Sequence, residues 1–364
     1  MSAKSLYRRP LPEALVAFAS DEGRLLFREA LATGHMEGFF ALSEQFHTQA
    51  DPSFCGLGSL VVALNALAID PGRLWKGPWR WFSEELLDCC APLDRVREKG
   101  IPIDELACLA QCNGAEAKIL RGSIDELRAD VIASVRSAGE PIVIAGYSRK
   151  ALGQTGDGHY SPIGGYHPGR DLVLLLDVAR FKYPPHWVSL TKLHEAMQLP
   201  DSETGRPRGW VVLRRRTKAS AIVYSLSTKA GIDDLVRTWT TDLPNTLEGA
   251  ASAAEALERL ASALEQSGAA LEVREAAIEE HRHAAHRMQT ALRGSKTFAF
   301  AKSEAATALA LAAPPETWRK LSPEVLAELT GVLEADRTND VLAPEIARLS
   351  DQLIAIEKFA SRSC

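Results

Sequence analysis

The turn His167-Pro168-Gly169-Arg170 is flanked by two strand-like runs, "HYSPIGGYH" (159–167), which ends on its first residue, and "LVLLLDVA" (172–179). A link this short joins antiparallel strands, because a parallel crossover takes about a dozen residues or more. The segment therefore reads as a hairpin, with further strand candidates at 141–148 ("PIVIAGYS") and 209–215 ("GWVVLRR"). Residues equidistant from a turn face each other across a hairpin. His159 lies nine residues before Pro168 and Asp177 nine after it, so the two are expected to oppose each other within one residue. Directly paired side chains have Cβ atoms about 4.5–5.5 Å apart, within reach of a carboxylate–imidazole bond. Asp177 also ends the apolar run "LVLLL", and a carboxylate buried in a strand is costly unless paired. The alternative is an aspartate that caps the strand end beside an ordinary polar histidine.

A second constraint comes from "QADPSFCGLGSL", residues 49–60. The apolar positions Leu57, Leu60, Val61, Leu64 and Leu67 follow helical spacing. A helix is expected from about Pro52 to Ala68, with Asp51 as N-cap and Pro52 at the first helical position. Cys55 then sits in the first turn, where unpaired N–H groups and the positive dipole end favour a thiolate. With a cationic histidine nearby, such placement lowers a cysteine pKa to roughly 3.5–7.5. Gly56 and Gly58 are expected to let a substrate backbone come close. A small buried core cysteine is the competing reading. The chain order Cys55, His159, Asp177 matches that of papain-like cysteine peptidases. In that arrangement a glutamine six residues before the nucleophile, here Gln49, donates to the oxyanion. The thiolate attacks a carbonyl, Gln49 and the Cys55 N–H hold the oxyanion, and His159 protonates the leaving amine.

The 364 residues allow two or three domains. Residues 1–218 mix helix and strand signals, whereas 219–364 are rich in Ala, Glu and Leu, with "RRRTK" (214–218) at the change. The expected fold class is α+β: a catalytic domain with the nucleophile helix packed on an antiparallel sheet, then a mostly α-helical C-terminal domain. Helices are expected at Ser20–Thr33 and from Leu247 to Arg293, the latter as one rod or a hairpin broken near Ser267-Gly268. Two more should start at Ser322-Pro323-Glu324 and Ala343-Pro344-Glu345. A net charge of −5 gives no general pull toward nucleic acid. The basic aromatic stretch "WKGPWRWF" is read as packing. No run of 18 apolar residues suggests a membrane span, and no secretory leader is read at the N-terminus. Six cysteines are too few for a disulfide scaffold, so the expected compartment is a reducing cytoplasm.

The strings "PSFCGLGSLVVALNALAIDPGRLWKGPWRWF", "GHYSPIGGYHPGRD" and "LDVARFKYPPHWV" closely resemble phytochelatin synthases, glutathione γ-glutamylcysteinyltransferases of the papain-like superfamily. The resemblance covers nearly all of residues 5–215. It implies Cys55 as nucleophile, His159 as base, Asp177 as orienting acid and Gln49 as oxyanion donor. It further implies that Arg180, Asp201 and Arg208 bind the γ-glutamyl end, with Tyr183 lining the same pocket. Such residue types suit the ammonium and carboxylate carried there; surface charge or aromatic packing is the alternative for each. The implied reaction takes glutathione, releases glycine and passes γ-glutamylcysteine from the enzyme thioester to a second glutathione or a growing peptide. The products, (γ-Glu-Cys)n-Gly, chelate soft metals. No organic cofactor is implied, and activation by Cd2+ or another soft metal ion, as its glutathione thiolate, is expected.

Cys89, Cys90, Cys108 and Cys112 fall within 24 positions and are candidate soft-metal ligands, although their spacing is not that of a structural zinc site. Buried helix cysteines are the alternative. His281, His283 and His286 read as a solvated helix face. The C-terminal region keeps only Cys364, unlike the cysteine-rich tails of plant members, so metal sensing by the tail is not expected. Glutathione, phytochelatin peptides and soft metals are the expected partners, and a homodimer is compatible with the sequence. Two other functions compete: a hydrolase that removes only glycine from glutathione or its conjugates, and a non-catalytic metal–thiolate binder.

Overall fold

A computed structural model describes residues 6–89, 91–216, 224–228, 232–267, 269–273 and 279–360. In chain order the first part runs β1 (Val16–Ala17), α1 (Asp21–Ala32), α2 (Glu37–Gln45), α3 (Cys55–Ala66), α4 (Leu93–Lys99), α5 (Ile103–Cys112), β2 (Ala115–Leu120), α6 (Ile124–Val135), β3 (Ile142–Ser148), β4 (Gly158–His167), β5 (Leu172–Leu175), β6 (His186–Ser189), α7 (Leu190–Gln198) and β7 (Trp210–Arg215). The first seven strands form one sheet in the order β1-β6-β5-β4-β3-β7-β2, with every neighbouring pair antiparallel. The fold class is α+β, with a helical C-terminal region.

The sheet carries a core on each face. One core packs α3 and α5 against Ile142, Ile144, Leu174 and Leu213. The other packs α6 and α7 against Val143, Ala145, Val173 and Val212. Alternate residues of β3 thus serve opposite cores, as the two-residue period of a strand requires. Every residue of β3 is buried, which explains the unbroken run "IVIAGYS". Helix α3 is also covered on all sides, with Gly56 to Asn65 buried. It begins at Cys55, three residues later than expected, and Phe54 occupies the N-cap. Asp51 instead accepts the Ser53 N–H at 3.0 Å in the turn before the helix.

The C-terminal region contains β8 (Tyr224–Thr228), α8 (Ile232–Arg237), α9 (Leu243–Leu247), α10 (Ala253–Gln266), β9 (Ala269–Val273), α11 (Glu279–Arg293), α12 (Lys296–Ala301), α13 (Glu304–Ala312), α14 (Pro323–Arg337) and α15 (Ala343–Ala360). Its core is built from residues between Tyr224 and Leu353. The expected 247–293 helix is interrupted where anticipated, after Gln266, but a strand follows: β9 pairs antiparallel with β8. The expected boundary at 218/219 lies outside the described residues. Helix α15 packs against α5, and Arg216 pairs with Asp351 at 2.8 Å.

Candidate active site

A cleft lies where α3, the ends of β3 and β4, and the 177–183 and 199–208 segments converge. Its lining includes Cys55, Arg149, His159, Lys182, Asp201 and Arg208. Cys55 opens α3, so its own N–H has no partner within the helix. The glycines behind it serve the protein rather than a substrate. A Cβ on Gly56 would lie 2.6 Å from Ile101, and one on Gly58 would lie 3.1 Å from Gln49 Cβ. These positions let Ile101 and Gln49 pack against α3.

His159 and Asp177 meet, by a register different from the expected one. The β4–β5 ladder pairs His167 with Leu172 and Gly165 with Leu174, then shifts at a bulge so that Ile163 faces Leu175. Asp177 follows the end of β5 and falls near Ser161, two residues from His159 on the same strand face. A diagonal contact replaces direct opposition: His159 Nε2 lies 2.8 Å from Asp177 Oδ1. Across the other edge of β4, His159 pairs with Tyr147, whose ring meets the imidazole edge-on at 5.7 Å.

Asp177 is fully buried and is held by more than the histidine. Arg149, itself buried, places Nη2 2.9 Å from both carboxylate oxygens and donates to Oδ1, and the Ala179 N–H donates to Oδ1 at 2.9 Å. Burial pushes the Asp177 carboxyl up, but His159 and Arg149 outweigh it and hold the group well below the usual carboxylate range. The network continues outward: Arg149 Nη1 donates to Gln154 Oε1 at 2.5 Å, Gln154 contacts His186 Nε2 at 3.2 Å, and His186 Nδ1 donates to the Pro184 carbonyl at 2.9 Å. The Tyr183 ring supports the Arg149 guanidinium at 5.2 Å. Its hydroxyl accepts the Thr155 N–H at 2.9 Å.

Burial pushes the Cys55 thiol up, against the Tyr160 backbone and Arg149, which pull it down. Burial and the nearby Arg149 charge lower His159 to about 4, more than Asp177 restores. Both shifts run against the thiolate expected from helix position alone, because desolvation opposes the first turn of α3.

A match to the family model described as phytochelatin synthase spans residues 6–210. The chain belongs to the phytochelatin synthase family. It is 52% identical over 233 residues to an Arabidopsis thaliana glutathione gamma-glutamylcysteinyltransferase 1, covering 63% of this chain and 48% of the relative. It is 51% identical over 233 residues to the Lotus japonicus protein of that name, covering 63% and 46%. A Schizosaccharomyces pombe glutathione gamma-glutamylcysteinyltransferase is 47% identical over 213 residues, covering 58% and 51%. The matched part thus spans about half the length of these relatives.

Within this phytochelatin synthase family site, the candidate substrate residues separate into two groups. Asp201 and Arg208 face the cleft. Arg208 is buried and donates to the Leu199 and Pro200 carbonyls at 2.9 and 2.7 Å and to Asp157 at 3.2 Å. Its Nε lies 3.8 Å from Asp201 and makes no hydrogen bond. Arg180 is exposed outside the cleft lining and stacks on Phe46 at 5.0 Å. Tyr183 is likewise absent from the lining and backs Arg149 instead. Gln49 is buried, with its amide Nε2 donating to the Asp51 and Pro52 carbonyls at 2.7 and 3.0 Å and its Oε1 unpartnered.

The 47–50 loop is pinned from two sides. Gln49 N–H donates to the Val178 carbonyl at 3.0 Å, next to Asp177. Glu84 accepts from the Ala50 N–H and from His47, both at 3.1 Å. Burial pushes the Glu84 carboxyl up, but His47 and the backbone donors outweigh it and hold it low. The Glu84 segment is fixed to α3 by Asn65, which bonds both the N–H and the carbonyl of Phe82 at 3.2 and 3.1 Å.

Of the cysteines outside the cleft, Cys89 and Cys112 are buried, Cys108 is disulfide-bonded, and Cys90 and Cys364 lie outside the described residues. Among the described residues no three His, Cys, Asp or Glu side chains converge as metal ligands. His283 and His286 are exposed on α11; the His281 side chain is outside the described set. No helix among the described residues is long and apolar enough to cross a membrane.

Proposed function

We propose that the protein is a glutathione γ-glutamylcysteinyltransferase working through a Cys55 thioester on a papain-like domain, residues 1–218, with residues 219–364 as a separate helical domain. The observation that carries this reading is the buried His159–Asp177–Arg149 network opening into the cleft that also holds Cys55, Asp201 and Arg208. Glutathione binds with its γ-glutamyl end toward Asp201 and Arg208, which complement its ammonium and carboxylate. As Cys55 Sγ attacks the Cys–Gly carbonyl, its proton passes to His159 and the imidazolium is stabilised by Asp177. The oxyanion is held by the Cys55 N–H and by Gln49, whose amide exchanges a backbone carbonyl for the oxyanion. His159 returns the proton to the departing glycine amine. In the second half, the amino group of another glutathione or peptide attacks the thioester and yields its proton to His159.

The names of the relatives support the transferase over a hydrolase that stops at glycine release. We read soft metals as acting on the substrate, as metal–glutathione thiolates; Cys108, being disulfide-bonded, offers no thiolate to a metal. The test is incubation of the purified chain with glutathione, with and without Cd2+, measuring glycine and peptide length. A ladder of (γ-Glu-Cys)n-Gly peptides supports the reading. Glycine with γ-glutamylcysteine alone favours the hydrolase, and no glycine release rejects both.

A further inference from the structure

A second cleft of about 660 Å³ lies between the free edge of the sheet at β2, helix α5 and the C-terminal helix α15. It shares no lining residue with the Cys55 cleft, so the catalytic machinery does not account for it. Its volume falls in the range of small-molecule sites. Its walls hold polar groups of both kinds that the protein leaves unused. On the donor side, Arg216 gives only Nη1 to Asp351; its Nε and Nη2 are buried without a hydrogen-bond partner. Lys118 and Arg214 also line the cleft. On the acceptor side, Gln111 is nine-tenths buried and its Oε1 has no partner.

Several of the acids in the wall are already engaged: Asp104 by Arg121 at 3.3 Å, Asp130 by the Trp210 indole at 2.8 Å and Asp351 by Arg216. A bare anion would meet these carboxylates and leave Gln111 Oε1 unsatisfied. A bare cation would leave the Arg216 donors unsatisfied. Buried polar groups of both kinds call for a ligand that carries both acceptors and donors. The sheet edge adds a row of backbone groups suited to amides, since among the described residues β2 is bonded only to β7. One of them, the Ala117 carbonyl, takes a long 3.4 Å contact from Gln111 Nε2.

We propose that this cleft is a second binding site, for a small zwitterionic peptide. Resting on the function proposed above, we take that peptide to be of the γ-glutamyl type. It seats a carboxylate on Arg216, Lys118 and Arg214 and presents N–H groups to Gln111. Because α15 forms one wall, occupancy couples the C-terminal region to the catalytic sheet.

The test uses the full chain carrying Cys55→Ser, which removes turnover, and S-methylglutathione as the probe in isothermal titration. Two binding events per chain are expected. The double variant Lys118→Glu/Arg214→Glu changes only exposed positions. It should weaken one event by roughly tenfold or more, the scale of lost charge-assisted hydrogen bonds, and leave the other intact. Arg208→Gln should do the converse. A single event, or two events untouched by the double variant, overturns the proposal. Displacement of the probe from this cleft by inorganic phosphate at equal concentration also overturns it, because the site would then be a simple anion site. Glycine release by the unsubstituted protein reports on the active-site reading separately, and two-site binding without glycine release would leave this cleft standing while that reading fell.

Discussion

Cys55→Ser keeps the shape of the cleft but removes the thiol, and glycine release should fall by about 10⁴-fold or more, the scale at which loss of a nucleophile acts. Retention of even a tenth of the activity would exclude the thioester. Arg149 has a subtler role. Its charge lowers His159 and helps hold Asp177 ionised. Arg149→Met should therefore move the acid limb of the acylation rate upward from near pH 4 toward the ordinary histidine range, besides lowering the rate. An unchanged pH profile would make Arg149 a packing residue only. Folding stability follows the same titration. Folded His159 has a pKa of about 4, below the unfolded value near 6.5, so the unfolded chain binds more protons between those limits. Stability is thus lost as pH falls from about 6.5 toward 4, by up to about 3 kcal/mol from this group. His159→Asn should flatten the decline of melting temperature across that window. Asp177, also depressed, contributes above its unfolded pKa near 4 and gives up its share only in stronger acid. Asp177 was legible because a carboxylate ending an apolar strand needs a partner. Arg149 ends the apolar run of β3 in the same way, and the same argument applied there would have found it. The pairing partner was visible from chain order, but the register was not, because no residue pattern announced the bulge between Ile163 and Gly165.

At the scale of elements, the 47–50 loop depends on Glu84, a residue that no motif marked. Glu84→Ala removes the acceptor for the Ala50 N–H and loosens the loop that carries Gln49. The expected result is a fall in kcat of about tenfold with KM nearly unchanged, since small misplacements of a catalytic group are costly. Glu84→Gln, which keeps an acceptor, should recover most of it. Equal losses in both variants would sink the positioning role. Helices with strong caps were readable: Ser20 and Ser322 cap α1 and α14 where expected. Strand β9 was not, because "AALEV" sits in an Ala/Glu/Leu-rich stretch whose local preference is helical, and pairing with β8 overrides it. Arg180 and Tyr183 were assigned to the substrate pocket from resemblance, yet their neighbours Phe181 and Lys182 occupy the lining. Side-chain direction in an irregular segment has no period from which to read it.

Across the whole molecule, the C-terminal core is closed by a buried ion pair. Arg348 donates to Glu345 at 2.9 and 2.7 Å and to the Tyr224 carbonyl at 2.5 Å, while Glu345 accepts the Tyr224 N–H at 2.8 Å. Arg348→Ala strips a buried carboxylate of its guanidinium and should destabilise this region by about 3–5 kcal/mol. Denaturant titration of the variant is expected to show an early transition reported by Trp239 and Trp318, both in that core. A single unshifted transition would contradict it. The burial of α3 from Gly56 to Asn65 has its own consequence. In the proposed function, a nucleophile mounted on so enclosed a rod has no room to adapt to a new acyl donor. Retuning the proposed activity toward other thiol peptides therefore falls to the rim, at Glu98–Gly100 and Ser202–Glu203, where substitutions leave the rod untouched.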